Sequence, residues 1–165
     1  MVRRPTTGEI MPFDIGDRIP DFMLEDEAGN RVALSDFTGS RLIMFFYPKA
    51  MTPGCTTEAC DFRDNYDAFI DAGYAVVGVS PDLPESNARF KEKEGLSFPL
   101  LSDEDHTLAA QLGAWGTKKN YGKEYEGLIR STFVVGPDGT MEMVYRNVRA
   151  KGHVARLVHE LLETG

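Results

Sequence analysis

Cysteine, histidine and tryptophan are scarce in this chain, whose 165 residues hold 2 Cys, 3 His and 1 Trp. Two cysteines cannot build the dense disulfide framework of a small secreted scaffold. A chain of this length needs none, because it buries roughly 70% of its unfolded surface in an ordinary core. The histidines, His106, His153 and His159, do not stand beside the cysteines in sequence. No zinc-ligand spacing results, no metal is expected, and all three are read as surface or packing residues. Long apolar runs are also missing: the best candidate, Leu42 to Tyr47, falls far short of the roughly 18 residues a membrane helix requires. Basic charge is in deficit, with 18 Lys+Arg against 26 Asp+Glu for a net charge of −8. No long basic run compensates, which argues against DNA or RNA as a partner. Arg3-Arg4 invites a twin-arginine reading, but Pro5-Thr6-Thr7-Gly8-Glu9 follows where an apolar segment should begin, so no export signal is read. The expected setting is the reducing cytoplasm, where a cysteine pair is usually catalytic, redox-sensing or metal-binding rather than a permanent staple.

What is present is 42% hydrophobic and 27% charged residues, the proportions of a soluble globular chain. Without repeats or an internal linker, the organisation read is a flexible tail over residues 1–14 and one domain over 15–165. Phe22 to Leu24 and Arg31 to Leu34 flank a turn-rich segment and predict a hairpin, with Ser35 capping a short helical turn. Arg41 to Tyr47 predicts a strand buried on both faces and ended by Pro48. Phe62, Tyr66, Phe69 and Ile70 recur at helical spacing, predicting an amphipathic helix over Cys55 to Ala72 closed by Gly73. Ala75 to Ser80 reads as a second buried strand and Pro84 to Glu94 as a helix stopped by Gly95. Then come a strand over Phe98 to Leu101, a helix over His106 to Leu112, strands over Ser131 to Val135 and Met141 to Tyr145 joined at Pro137-Asp138-Gly139, and a helix over His153 to Glu163. This order predicts an α/β protein with a central mixed β-sheet flanked by helices and an N-terminal β-hairpin, as in a thioredoxin-like fold.

Cys55 falls where a loop beyond a buried strand enters a helix. Unpaired helix N–H groups and the macrodipole there favour a thiolate over a thiol. Thr52 can offer its hydroxyl near the sulfur, and Pro48 and Pro53 stiffen the loop. The plainer reading makes Cys55 a small buried hydrophobe and Thr52 only an N-cap. Cys60 bears on the choice. Five residues apart on one helix, the two cysteines are separated by roughly 7.5 Å of rise and point about 140° apart. A disulfide tolerates Cα atoms no more than about 7 Å apart, so the pair cannot bridge while the helix is intact. Bridging would couple redox change to unwinding of a helix end.

The segment Pro48-Lys49-Ala50-Met51-Thr52-Pro53-Gly54-Cys55-Thr56-Thr57-Glu58-Ala59-Cys60-Asp61-Phe62-Arg63 resembles the peroxiredoxins. It is most similar to the bacterioferritin comigratory protein, or peroxiredoxin Q, subfamily, whose second cysteine lies five residues after the first on the same helix. The resemblance covers nearly all of residues 15–163, including Gly78-Val79-Ser80-Pro81-Asp82, Phe98-Pro99-Leu100-Leu101-Ser102-Asp103 and Gly127-Leu128-Ile129-Arg130-Ser131-Thr132-Phe133. It implies Cys55 as peroxidatic cysteine, Thr52 and Pro48 as its partners in the site, Arg130 as the arginine completing the pocket, and Cys60 as resolving cysteine. Without the resemblance, Arg130 reads as a surface ion pair at a strand start. Lys49, Glu58 and Arg63 could position the loop and helix, although charged residues on a helix face are usually just solvated, and they are left outside the catalytic set. Ala50 and Met51 stand where relatives carry acidic, polar or small residues, which makes the pocket mouth more apolar.

The implied chemistry is reduction of hydrogen peroxide or an organic hydroperoxide through a Cys55 sulfenic acid. Cys60 resolves it as an intramolecular disulfide, and thioredoxin or a similar dithiol recycles it. No haem, flavin or metal cofactor is needed, and a monomer suffices because both cysteines are in one chain. Three alternatives stay open at this point. One is a thiol-disulfide oxidoreductase, although those typically use Cys-x-x-Cys. The others are a non-catalytic peroxide sensor and a structural module with inert cysteines.

Overall fold

The structure, a computed structural model, describes residues 13–120 and 122–163. The tail expected over residues 1–14 lies outside the described residues except for 13 and 14. In chain order the strands are β1 (Met23–Glu25), β2 (Arg31–Ala33), β3 (Arg41–Phe46), β4 (Tyr74–Ser80), β5 (Leu100–Ser102), β6 (Trp115–Asn120), β7 (Lys123–Leu128), β8 (Ser131–Val135) and β9 (Met141–Arg146). The helices are α1 (Pro53–Asp64), α2 (Tyr66–Asp71), α3 (Pro84–Glu94), α4 (Thr107–Gln111) and α5 (His153–Leu157), with a 3-10 turn at Leu34–Phe37 and a π-helical turn at Val158–Glu163.

The described strands form one sheet in the order β2-β1-β5-β4-β3-β8-β9, and β6 and β7 form a separate hairpin. β3, β4 and β5 run parallel, while β8 and β9 continue antiparallel on one side and the β1–β2 hairpin on the other. The mixed sheet flanked by helices and edged by an N-terminal hairpin matches the expectation. Strand geometry explains how the run Leu42 to Tyr47 can be apolar throughout. Successive side chains point to opposite faces. Ile43, Phe45 and Tyr47 enter a core cluster with α1, α2, α3 and α5, whereas Leu42, Met44 and Phe46 enter a second cluster with α4 and the paired residues Trp115 and Leu128 at the open end of the β6–β7 hairpin. At the centre of the first cluster Phe45 and Phe62 stack with ring centroids 4.4 Å apart.

Several elements differ from the sequence reading. The helix expected over Cys55 to Ala72 is two helices broken at Asn65, whose φ of −109° and ψ of 6° leave the helical region. Asn65 Nδ2 donates to the Asp61 carbonyl at 2.8 Å, a local side-chain bond that competes with helix continuation. Ser35 does not cap its turn but lies within it, and the Ala33 N–H donates instead to Asp36 Oδ2 at 2.9 Å. The strand expected over Phe98 to Leu101 begins at Leu100, because Pro99 has no N–H for the ladder. The β6–β7 hairpin was not anticipated. The closing helix changes from α to π geometry after Leu157.

Candidate active site

β3 delivers the chain to Pro48 at the carboxyl edge of the sheet, and the loop returns as α1. Thr52 flanks that helix in extended conformation (φ −83°, ψ 156°), and Pro53 is its first residue. Proline suits that place, since its fixed φ is helical and its missing N–H has no intrahelical partner to lose. The Thr52 hydroxyl donates to the Lys49 carbonyl at 2.8 Å, which closes the loop and leaves the oxygen able to accept. A second tether is the Ala50 N–H, which donates to Asp82 Oδ2 at 2.7 Å, a carboxylate also held by the Ser80 hydroxyl at 2.9 Å. Ala50 is buried, while Met51 is half exposed and adopts φ 64°, the left-handed region that non-glycine residues seldom occupy. The loop is thus held in a conformation its sequence does not favour locally.

Cys55 is the third residue of α1, among the helix N–H groups that have no intrahelical acceptor. Its side chain is 1% exposed and its thiol is free. Arg130, immediately before β8, reaches it from 75 positions away. The antiparallel register places Ser131 opposite Phe46, so Arg130 stands beside the end of β3. Its Nη2 donates to Cys55 Sγ at 3.3 Å and its Nη1 to Glu58 Oε1 at 2.7 Å. Gly54 keeps this approach open: a Cβ there would sit 3.2 Å from Arg130 Nη2. Glu58, read from sequence as a solvated charge, is wholly buried and partners Arg130. The helical pattern did contain the signal, since Glu58 lies one turn after Cys55 on the inward face of α1. Burial lifts its carboxyl to a pKa of about 7 against the opposing pull of Arg130. Its Oε2 is buried without a hydrogen-bond partner among the described residues.

A cleft of about 540 Å³ opens beside the guanidinium, with Pro48, Thr117, Lys118, Ile129, Arg130 and Val148 in its walls. The unanticipated β6–β7 hairpin therefore contributes to the cleft through Thr117 and Lys118. Cys55, Arg130, Thr52 and Pro48 thus lie on one edge of the sheet. Cys60 is apart from them on α1, a partly buried free thiol directed at α3. Arg63, also expected to be solvated, donates to the Glu94 carbonyl at 2.6 Å, whereas Lys49 is exposed. Of the histidines, His153 is buried with Nε2 2.8 Å from Thr132 Oγ1, His106 stacks on Trp115, and His159 is exposed beside Glu163. Among the described residues no cluster of three or more His, Cys, Asp or Glu could hold a metal ion, and no helix is long and apolar enough to cross a membrane.

Known proteins resemble this chain over most of its length. A model of the AhpC/TSA family matches residues 15–144. A putative peroxiredoxin of Mycobacterium tuberculosis is 53% identical over 146 residues, covering 88% of this chain and 93% of its own. Peroxiredoxin Bcp of Bacillus subtilis is 46% identical over 151 residues, covering 92% of this chain and 96% of its own. Among solved structures, the bacterioferritin comigratory protein of Xanthomonas campestris, studied for its alkyl peroxide reduction activity, superposes with a TM-score of 0.81 at 36% identity, covering 87% of this chain and 91% of that one. The expected thioredoxin-like fold is the fold they share. By the length of the family match and by these identities, the chain belongs to the AhpC/TSA family, among the peroxiredoxins of the Bcp or Q type.

Proposed function

We propose that this protein is a thiol-dependent peroxidase acting on hydrogen peroxide and organic hydroperoxides, in which Cys55 is the nucleophile and Cys60 the resolver. The observation that carries the reading is the Arg130 guanidinium 3.3 Å from a cysteine sulfur at the start of a helix. Peroxiredoxin membership supports the peroxidase class, and the paired cysteines in one chain support the route. The guanidinium donates to the sulfur, and the unpaired N–H groups of the first turn of α1 lie at the same end of the helix.

The Cys55 thiolate attacks one peroxide oxygen, forming an S–O bond as the O–O bond breaks. The leaving oxygen takes a proton and departs as water or alcohol, and Cys55 becomes the sulfenic acid. Arg130 and the helix N–H groups face the oxygens and stabilise charge on the leaving one, while the Thr52 hydroxyl, whose hydrogen is given to the Lys49 carbonyl, accepts from the peroxide. Pro48 and Ile129 wall the cleft beside the guanidinium. Cys60 then forms the S–S bond, and the sulfenic hydroxyl leaves with the thiol proton as water. Because an intact helix keeps the sulfurs too far apart, this step requires α1 to unwind between them. Thioredoxin or a similar dithiol restores both thiols by exchange. The protein acts as a monomer in the reducing cytoplasm, in peroxide defence and redox homeostasis.

Intact-mass measurement of wild type, Cys55→Ser and Cys60→Ser after one equivalent of hydrogen peroxide, with a sulfenic-acid trap present, tests this. Wild type should lose about 2 Da, the two thiol hydrogens. The trap should label Cys60→Ser at Cys55 and leave Cys55→Ser untouched. Trapping at Cys60, or no reaction below millimolar peroxide, would overturn the assignment. Peroxide consumption through many cycles with a dithiol present separates an enzyme from a stoichiometric sensor.

A further inference from the structure

The second cysteine has its own set of contacts, remote from Arg130. Cys60 and Arg63 are three residues apart on α1, so they share a face of that helix. Both reach the last residue of α3. Cys60 Sγ donates to Glu94 Oε2 at 3.3 Å, and Arg63 Nη1 donates to the Glu94 main-chain carbonyl at 2.6 Å. That carbonyl is available because α3 ends there. Gly95 follows at φ 62°, and the Leu96 N–H bonds back to the Lys91 carbonyl, which leaves the carbonyl of Glu94 to a side-chain donor. One residue of α3 therefore grips α1 twice, at its second cysteine and one turn beyond.

We propose that Glu94 is a positioning residue that latches Cys60 into α1 as a thiol, and so sets how long the Cys55 sulfenic acid waits for its resolver. The inference rests on the peroxidase reading above and concerns its second step. An S–H can donate to a carboxylate, but a thiolate in the same place would face it as a like charge, so the contact selects the protonated and less nucleophilic form. The charged groups facing this sulfur are Glu94 from α3 and Arg63 and Asp64 from α1 itself. Burial is the largest influence raising the Cys60 thiol above its ordinary range, Glu94 adds to it, and Arg63 opposes it. If Cys60 is to meet Cys55, α1 must unwind and the bond to Glu94 must break. Resolution consumes no outside oxidant or reductant, since the S–S bond forms as the S–O bond breaks and water leaves. While the latch holds, a second peroxide can carry the sulfenic acid on to sulfinic acid.

Rapid-quench mass spectrometry on the full chain, following sulfenic acid, disulfide and sulfinic acid in wild type, Glu94→Gln and Glu94→Ala, tests the latch. A hydrogen bond to a charged group is worth enough to change a rate by about tenfold. Glu94→Ala should convert sulfenic acid to disulfide about that much faster, and sulfinic acid should need correspondingly more peroxide. The initial oxidation of Cys55 should be unchanged. In Glu94→Gln the pH at which resolution accelerates should fall, because an amide accepts from the thiol without repelling a thiolate. A purely structural role would not move that pH profile. If Glu94→Ala fails to fold, the Glu94→Gln profile carries the same decision. Should wild type form no Cys55–Cys60 disulfide, the peroxidase reading itself falls. If wild type forms it and the variants resolve at an unchanged or lower rate with an unshifted profile, the latch alone falls.

Discussion

A carboxyl group sealed from water beside a guanidinium titrates where neither would in solution. Glu58 is that group. Burial raises it from 4.5 to about 7 although Arg130 and its hydrogen bond pull the other way. Below pH 4.5 both folded and unfolded chains hold the proton. Between there and pH 7 the unfolded chain releases it first, so folding stability falls as pH rises through this window and levels off above it. A shift of this size corresponds to about 3 kcal/mol. His153 acts in the opposite sense: burial lowers it to about 4, so its contribution is lost as pH falls from 6.5 toward 4. Comparing wild type with Glu58→Gln isolates the carboxyl. Urea midpoints measured at pH 5 and pH 8 should show the wild type losing up to about 3 kcal/mol relative to the variant. Parallel behaviour of the two proteins would mean that Glu58 is ionised throughout. From sequence, Cys55, Thr52 and Pro48 were legible because they share one short segment, whereas Glu58 had only its helical spacing from Cys55 to mark it, and its partner Arg130 is 72 positions away.

At the scale of elements, the close meeting of β3, β4 and β5 depends on one missing side chain. Gly78, in the middle of β4, pairs with Phe45 on one side and Leu100 on the other. A Cβ there would lie 2.8 Å from Leu100 Cδ2, 2.9 Å from Phe45 Cζ and 3.0 Å from Tyr47 Cε1. These are rigid or fully buried neighbours, so Gly78→Ala should destabilise by roughly 1–3 kcal/mol, read as a lower urea midpoint with an unchanged slope. A neutral result would show that the aromatic layer can shift to admit a methyl group. Buried strands such as β3 and β4 were legible because continuous apolar runs bounded by proline or polar residues have few other uses. The β6–β7 hairpin was not, since Lys118, Lys119, Lys123, Glu124 and Glu126 give it the composition of a loop. The break at Asn65 was hidden by apolar spacing that continues through Phe62, Tyr66 and Phe69 across both helices.

For the whole molecule, the sheet joins two apolar clusters rather than separating two units. β3, β4, β5 and β8 each send alternate side chains into both, as with Val134 on one face and Phe133 and Val135 on the other. Loss of either cluster would expose one face of the same strands. We therefore expect a single cooperative transition for residues 15–165. Urea unfolding followed by fluorescence of Trp115, the chain's single tryptophan, should coincide with unfolding followed by far-ultraviolet circular dichroism. An earlier fluorescence transition would mean that the β6–β7 hairpin opens before the sheet. Local residue pattern determined the order of the strands and helices of the main sheet layer apart from the break at Asn65, the burial of the central strands and the placing of Cys55 at a helix start, because periodicity and turn chemistry act over a few neighbours. Contacts across long separations were decided only by the tertiary structure. The pairing of Phe46 with Ser131 brings Arg130 to a sulfur 75 residues away, burial gives Glu58 its raised pKa, and the end of α3 meets Cys60. Each depends on sheet register and helix packing, which no short stretch of sequence specifies alone.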